Sequence, residues 1–316
     1  MRLATILLLI SAAFAQADRS LFDYDREAPL DIRVQESSWA HAYAVKNGQL
    51  DVRGSKATEI RQISFASPLG GRVLATLIIP HHPEMERPAA AVVYAHWMMQ
   101  GAPNANRTEF LDESLEMAKH GVVSLLIEAP MNRKDKREFK MPEQQGEASL
   151  FYSRQMVVDI RRGLDLLTRL PEVDPTRVAV VGHSFGATAT AIVSGIDPRP
   201  SAYVILAVAL DQEHFLRHST APAISGLRAS IPKADFEEYI RMAAPQNAAN
   251  YIAHAAPAAV LLQYAEADDY ATVEDAQRSL AVASEPKELK LYPGGHELTP
   301  EARKDRVAWL LKLLGK

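Results

Sequence analysis

The sequence predicts an α/β domain in which helices cover both faces of a mostly parallel sheet, with a small cap insertion between two strands. Three observations carry this expectation. From residue 59 onward, short apolar runs alternate with segments of helical period, the pattern of a sheet covered on both sides. Several of the runs, such as Val178-Ala179-Val180-Val181 and Ala259-Val260-Leu261-Leu262, are continuously apolar, as strands buried on two faces must be. Finally, Gly182-His183-Ser184-Phe185-Gly186 stands between an apolar run and the small-residue segment Ala187-Thr188-Ala189-Thr190-Ala191, which reads as strand, sharp turn and helix.

Taken in order, Met1-Arg2, the apolar run Leu3 to Phe14 and Ala15-Gln16-Ala17 have the form of a secretory signal peptide cut after Ala17. The run is too short and wrongly flanked to span a membrane, so no membrane anchor is expected. Residues 18-56 are mixed in character and are expected to form an N-terminal arm of unclear role, followed by the main domain at 57-316. Glu59 to Ser64 and Arg72 to Ile79, joined through Pro68-Leu69-Gly70-Gly71, read as an opening hairpin. Ala89 to Tyr94, Val122 to Ile127, Val178 to Val181, Tyr203 to Leu210, Ala259 to Tyr264 and Glu288 to Leu291 read as buried, mostly parallel strands.

Val157, Ile160, Leu164 and Leu167 recur at helical spacing, and Asp174-Pro175 is expected to turn that helix into the next strand. The stretch 211-256 separates two strands by more than a crossover helix needs, so it is expected to cap the site. Thr299 before Pro300 marks a helix start, with Val307, Leu310, Leu311 and Leu314 on its inner face.

Chemistry is concentrated at three places. A serine in a tight turn between two glycines has its hydroxyl pushed clear of the backbone, and the N–H of the following residue, Phe185, sits at a helix start facing a developing oxyanion. Downstream, Asp268 and Asp269 follow the run ending at Tyr264, and His296 lies in the glycine turn after Leu291. A hydroxyl is a poor nucleophile at neutral pH, so it needs a histidine to take its proton and a carboxylate to fix the imidazole tautomer.

Ser184, an aspartate and His296, in that order, resemble the α/β-hydrolase superfamily over residue 59 to the C-terminus, and from Phe236 onward the dienelactone-hydrolase and acetyl-xylan-esterase-like branch. The resemblance implies that Asp268 is the acid, with Ala265 replacing the family's glycine, and that Asp269 is its rival. It implies a second oxyanion donor in Ala95-His96-Trp97-Met98-Met99-Gln100-Gly101, at Met98 or Trp97, where the superfamily has His-Gly. His96 would brace that loop. The expected activity is a secreted or periplasmic serine hydrolase cleaving a carboxylic ester through an acyl-enzyme, with no cofactor and no metal. A serine peptidase or amidase on the same fold is the alternative, and a non-catalytic binding protein a more distant one.

Composition excludes other classes. With 0 cysteines there is no disulfide, thiol catalysis or thiolate metal site. A net charge of -4 provides no attraction for nucleic acid, leaving a small-molecule or glycan-linked ester as the expected partner and the oligomeric state unread. His81-His82 with Glu84 read as a solvated turn rather than a metal site, and Asp211 as an outside candidate for the acid. Glu128, at a strand end, is expected to hold a neighbouring loop. Arg133-Lys134-Asp135-Lys136-Arg137 with Lys140 reads as a solvated basic loop, or alternatively as a rim that steers anionic esters.

Overall fold

In a computed structural model, residues 18–46, 49–81, 88–99 and 101–316 are described, with residues 41–56 described as backbone only. The expected signal peptide, together with His82, Glu84 and Gln100, lies outside the described residues.

The described strands form one nine-stranded sheet. Its first part is antiparallel: β1 (Arg33–Lys46), β2 (Gln49–Ala66) and β3 (Arg72–His81) run as a meander, and β3 pairs antiparallel with β5 (Val123–Ile127). From there the sheet is parallel, in the order β5, β4 (Ala89–Ala95), β6 (Val173–His183), β7 (Ala202–Leu206), β8 (Ala259–Ala265) and β9 (Lys287–Tyr292). β1 and the start of β2 fall within the stretch 18–56, so these residues extend the sheet rather than hang from it.

The continuous apolar runs have a simple cause. Successive side chains point to opposite faces, and in β4 both faces are covered: Ala89, Ala91, Val93 and Ala95 enter one core, while Ala90, Val92 and Tyr94 enter the other. α2 (Gln145–Arg169) and α3 (Phe185–Ile196) supply Val157, Ile160, Leu164 and Val193 to the first core. α1 (Leu111–Lys119) and α9 (Pro300–Leu313) supply Met117 and Leu310 to the second, which Leu314 also joins, with Val307 and Leu311 partly buried against it. Thr299 caps α9 as its sequence predicts, accepting the Ala302 N–H.

Two boundaries differ from expectation. The run Tyr203 to Leu210 leaves the sheet at Leu206, because Ala207 takes a left-handed φ of 46°. Val208 and Leu210 stay buried, and the Val208 carbonyl accepts the Tyr264 hydroxyl at 2.6 Å, so burial rather than extension keeps the run apolar. Asp174-Pro175 is not a turn ahead of β6. It lies within it, in an irregular stretch where pairing jumps from Ala89↔Val173 to Ala91↔Val178 and Asp174 accepts the Thr176 N–H.

Between β7 and β8 the chain forms α4 (Gln212–His218), α5 (Pro222–Ser230), α6 (Lys233–Ala243) and α7 (Ala249–Ile252). α8 (Val273–Val282) follows β8 and opens with a capping box between Thr272 and Asp275, a legible start signal that the apolar pattern alone does not bring out. Among the described residues no helix is long and apolar enough to cross a membrane.

Candidate active site

The parallel strands all end on one edge, and the loops leaving that edge bring the chemistry-bearing residues together. Ser184 follows β6 directly, with φ 51° and ψ -111°, a conformation that non-glycine residues adopt rarely. Side chains are forbidden on either side: a Cβ on Gly182 would strike Thr190 and the Gly186 carbonyl, and one on Gly186 would strike the carbonyl of Ala95 in β4. The two glycines thus let the elbow lie against the neighbouring strand. The Ser184 N–H is itself held by the Leu206 carbonyl at 2.9 Å.

Three residues spread over a span of 112 positions meet here. His296 Nε2 lies 2.9 Å from Ser184 Oγ, and His296 Nδ1 lies 2.8 Å from Asp268 Oδ2. The other carboxylate oxygen of Asp268 accepts the N–H groups of Tyr270 and Ala271, at 2.8 and 3.0 Å. Asp268 is buried and fully bonded, whereas Asp269 is exposed. Asp211 caps α4 by accepting the His214 N–H and does not face His296.

The loop after β4 supplies the remaining wall. The N–H of Trp97 donates to Glu109 Oε2 at 2.7 Å, which removes it as a free donor. Among the described residues the N–H groups of Met98 and Phe185 donate to no backbone or side-chain acceptor. His96 braces the loop from below: its Nδ1 lies 2.6 Å from the Trp97 carbonyl oxygen, and its Nε2 lies 2.9 Å from the Ala129 nitrogen and 3.0 Å from Glu128 Oε1.

This geometry, a serine at a sharp strand-to-helix turn with an acid and a histidine at one sheet edge, has relatives. The acetyl xylan esterase (AXE1) family model matches residues 33–217. The chain belongs to the AXE1 family. It is a carboxylic ester hydrolase. The match covers Ser184 and the Trp97 loop and ends before Phe236, so it lies ahead of the region where the sequence alone carries its resemblance to this branch.

Solved structures agree on the fold of this AXE1-family chain. It is similar to an acetyl xylan esterase from Paenibacillus sp. R4 (TM-score 0.70, 19% identity, covering 93% of this chain and 91% of that one). Acetyl xylan esterase 1 from Thermoanaerobacterium sp. JW/SL YS485 gives a TM-score of 0.68 at 17% identity, again over 93% and 91%. Est1E from Butyrivibrio proteoclasticus, solved with ferulic acid, gives 0.58 at 14% identity over 78% and 96%. A search of curated proteins gives no match.

The other residues singled out in the sequence scatter. His81 Nε2 lies 3.3 Å from Glu59 Oε2, and no group of three or more candidate metal ligands occurs among the described residues. Glu128 holds the neighbouring loops by accepting from Arg107 Nη1 at 3.0 Å and Asn132 Nδ2 at 2.8 Å. Burial raises its pKa, but bonds to His96, Asn132 and Arg107 outweigh burial and draw the carboxyl down to about 2. The basic cluster is not uniformly solvated. Arg133 is 2% exposed, pairs with Asp159 at 2.7 Å and donates to the Glu128 carbonyl. Arg137 lies over the rings of Phe139 and Phe151.

The sequence pattern marks neither Glu109 nor His183 as part of the site. His183 is 2% exposed, with Nδ1 2.5 Å from Glu109 Oε1 and Nε2 2.8 Å from the His296 carbonyl oxygen. Glu109 precedes α1, 74 positions from its partner, and no local pattern marks it.

Proposed function

We propose that this AXE1-family hydrolase removes small acyl groups from a glycan-linked ester, with Ser184 as nucleophile, His296 as general base and acid, and Asp268 as the carboxylate that orients the imidazole. The observation that carries this reading is the unbroken chain from Ser184 Oγ to His296 Nε2 at 2.9 Å and from His296 Nδ1 to Asp268 Oδ2 at 2.8 Å.

With Nδ1–H donated to Asp268, Nε2 is left with a lone pair to accept the Ser184 proton as Oγ attacks the ester carbonyl. The tetrahedral intermediate places negative charge on the former carbonyl oxygen, and the N–H groups of Phe185 and Met98 are the donors proposed to meet it. Collapse passes the proton from His296 to the alcohol, which leaves. Water then repeats the sequence on the acyl-enzyme, releasing the acid and restoring Ser184.

Small acyl groups are favoured by kinship: the matched family and two of the similar structures are acetyl xylan esterases. The proposal includes residues 211-256 as a cap that shapes substrate choice, and export to the periplasm or medium with cleavage after Ala17.

The test is a fluorophosphonate probe followed by a panel of matched esters and amides. Labelling that depends on Ser184, with acetyl esters turned over ahead of longer acyl esters and amides, is the expected result. Faster turnover of amides than of esters would assign the same residues to a peptidase or amidase.

A further inference from the structure

We propose that Glu109 and His183 form a second, non-reacting pair that holds the histidine turn and the oxyanion loop in register, with His183 kept as a doubly protonated imidazolium. This inference rests on the assignment of Ser184, His296 and Asp268 above and adds two positioning residues to it.

The argument starts from the two ring nitrogens. His183 Nε2 lies 2.8 Å from a main-chain carbonyl oxygen, that of His296, and a carbonyl accepts but never donates, so Nε2 carries a hydrogen. His183 Nδ1 lies 2.5 Å from Glu109 Oε1, so one of these two atoms carries a hydrogen shared with the other. A neutral imidazole has one N–H only. Both contacts are therefore satisfied by a ring with two hydrogens facing an ionised carboxylate.

Two further contacts favour that arrangement over a neutral ring facing a protonated acid. The second oxygen of Glu109 accepts the Trp97 N–H at 2.7 Å, and hydrogen bonds to a carboxylate stabilise its charged form. Glu109 and His183 line a cavity of about 210 Å³ together with Arg306, whose charge is taken up by its ion pair with Glu113. The indole of Trp97 lies flat over the His183 ring, with centroids 5.0 Å apart and planes 10° from parallel, placing an aromatic face against a cation. His296 is the other titratable ring in contact, 5.2 Å away, and His183 touches its turn through the carbonyl.

The consequence is mechanical. Glu109 bonds the backbone that leads into Met98, and His183 bonds the backbone of His296 while sitting one residue before Ser184. One ion pair thus ties together the elbow, the proposed oxyanion loop and the histidine turn. Releasing it displaces donors and base relative to Oγ, and a misplacement of about 1 Å costs on the order of 100-fold in rate.

The experiment combines kinetics, ring-proton counting and chemical rescue. Glu109→Gln is expected to lower kcat about 10- to 100-fold with KM changed less than about threefold, since it disturbs the transition state rather than substrate binding. In protein labelled with ¹⁵N-histidine, the His183 ring, identified by its absence in His183→Asn, is expected to show two N–H protons, and one only in Glu109→Gln. His183→Ala is expected to recover activity with added imidazole, admitted through the adjoining cavity, and not with 1-methylimidazole, which lacks the second N–H when protonated. Should His183→Ala fail to fold, the Glu109→Gln kinetics and the ring-proton count decide the matter. An unchanged kcat in Glu109→Gln, or a single N–H on His183 in the wild type, would overturn the inference while leaving the triad intact. Turnover by Ser184→Ala would instead overturn the triad, whatever Glu109 does.

Discussion

Asp268 and Asp269 are adjacent in the chain and opposite in environment: Asp268 is 5% exposed and faces His296 Nδ1 at 2.8 Å, while Asp269 is exposed to solvent. Two isosteric changes one residue apart therefore separate a role in the reaction from a place on the surface. Asp268→Asn is expected to lower kcat by up to about 10⁴, the scale of the equivalent change in a serine protease, by presenting the wrong group to the imidazole. Asp269→Asn is expected to leave kcat within about twofold. Steady-state kinetics on a model acetyl ester decides it, and a larger loss at Asp269 would reverse the assignment.

For Ser184 the measurement is covalent. Ser184→Ala should fold with an unchanged far-UV spectrum, take up no fluorophosphonate and lose nearly all ester turnover. A folded variant with activity within about tenfold of wild type would exclude Ser184 as nucleophile.

Arg133 and the lysines beside it are expected to differ in stability effects, although the sequence presents them as one basic cluster. Arg133→Ala leaves the buried Asp159 carboxylate without its cation and should cost about 3–5 kcal/mol in denaturant unfolding. Lys134→Ala and Lys136→Ala, at exposed positions, should each stay within about 0.5 kcal/mol. Equal losses at all three would mean that the Arg133–Asp159 pair contributes nothing distinctive.

Glu128 links stability to pH. Its carboxyl is lowered from 4.5 to about 2 in the folded protein, so the folded state binds the proton less readily than the unfolded chain does. The resulting stabilisation, about 3 kcal/mol at one pKa unit per 1.36 kcal/mol, is fully present above pH 4.5 and is lost as pH falls through about 2. Wild type should therefore exceed Glu128→Gln in unfolding free energy at pH 7, with the gap closing between pH 4.5 and 2. A gap independent of pH over that range would show that the carboxylate charge is not what Glu128 contributes.

Acyl length sets the last expectation. If the site is shaped for small acyl groups, acetyl esters should be turned over at least about tenfold faster than octanoyl esters of the same alcohol, a difference of about 1.4 kcal/mol in transition-state stabilisation. Rates that rise with acyl length would overturn the preference for small acyl groups.

The sequence by itself determined the architecture and pointed to the candidate site residues, because both follow from local chemistry. Continuous apolar runs such as Val178 to Val181 signal burial on all sides, and a serine between glycines at a strand-to-helix turn requires a backbone that only a few residue choices permit. The helix beginning at Thr299-Pro300 was legible for the same reason, as its cap and first turn are written in consecutive residues.

Tertiary structure alone decided which of several equivalent groups face one another. Asp268 and Asp269 have the same chemistry, and only the register of the β8 loop separates them. Trp97 and Met98 both carry a free N–H in the sequence, and Glu109 removes one of them from 12 positions away. Arg133 looks like its neighbours until Asp159 of α2 is folded against it. Each is a contact between segments far apart in the chain, and the energy of a hydrogen bond or ion pair depends on distances and burial that composition and spacing do not encode.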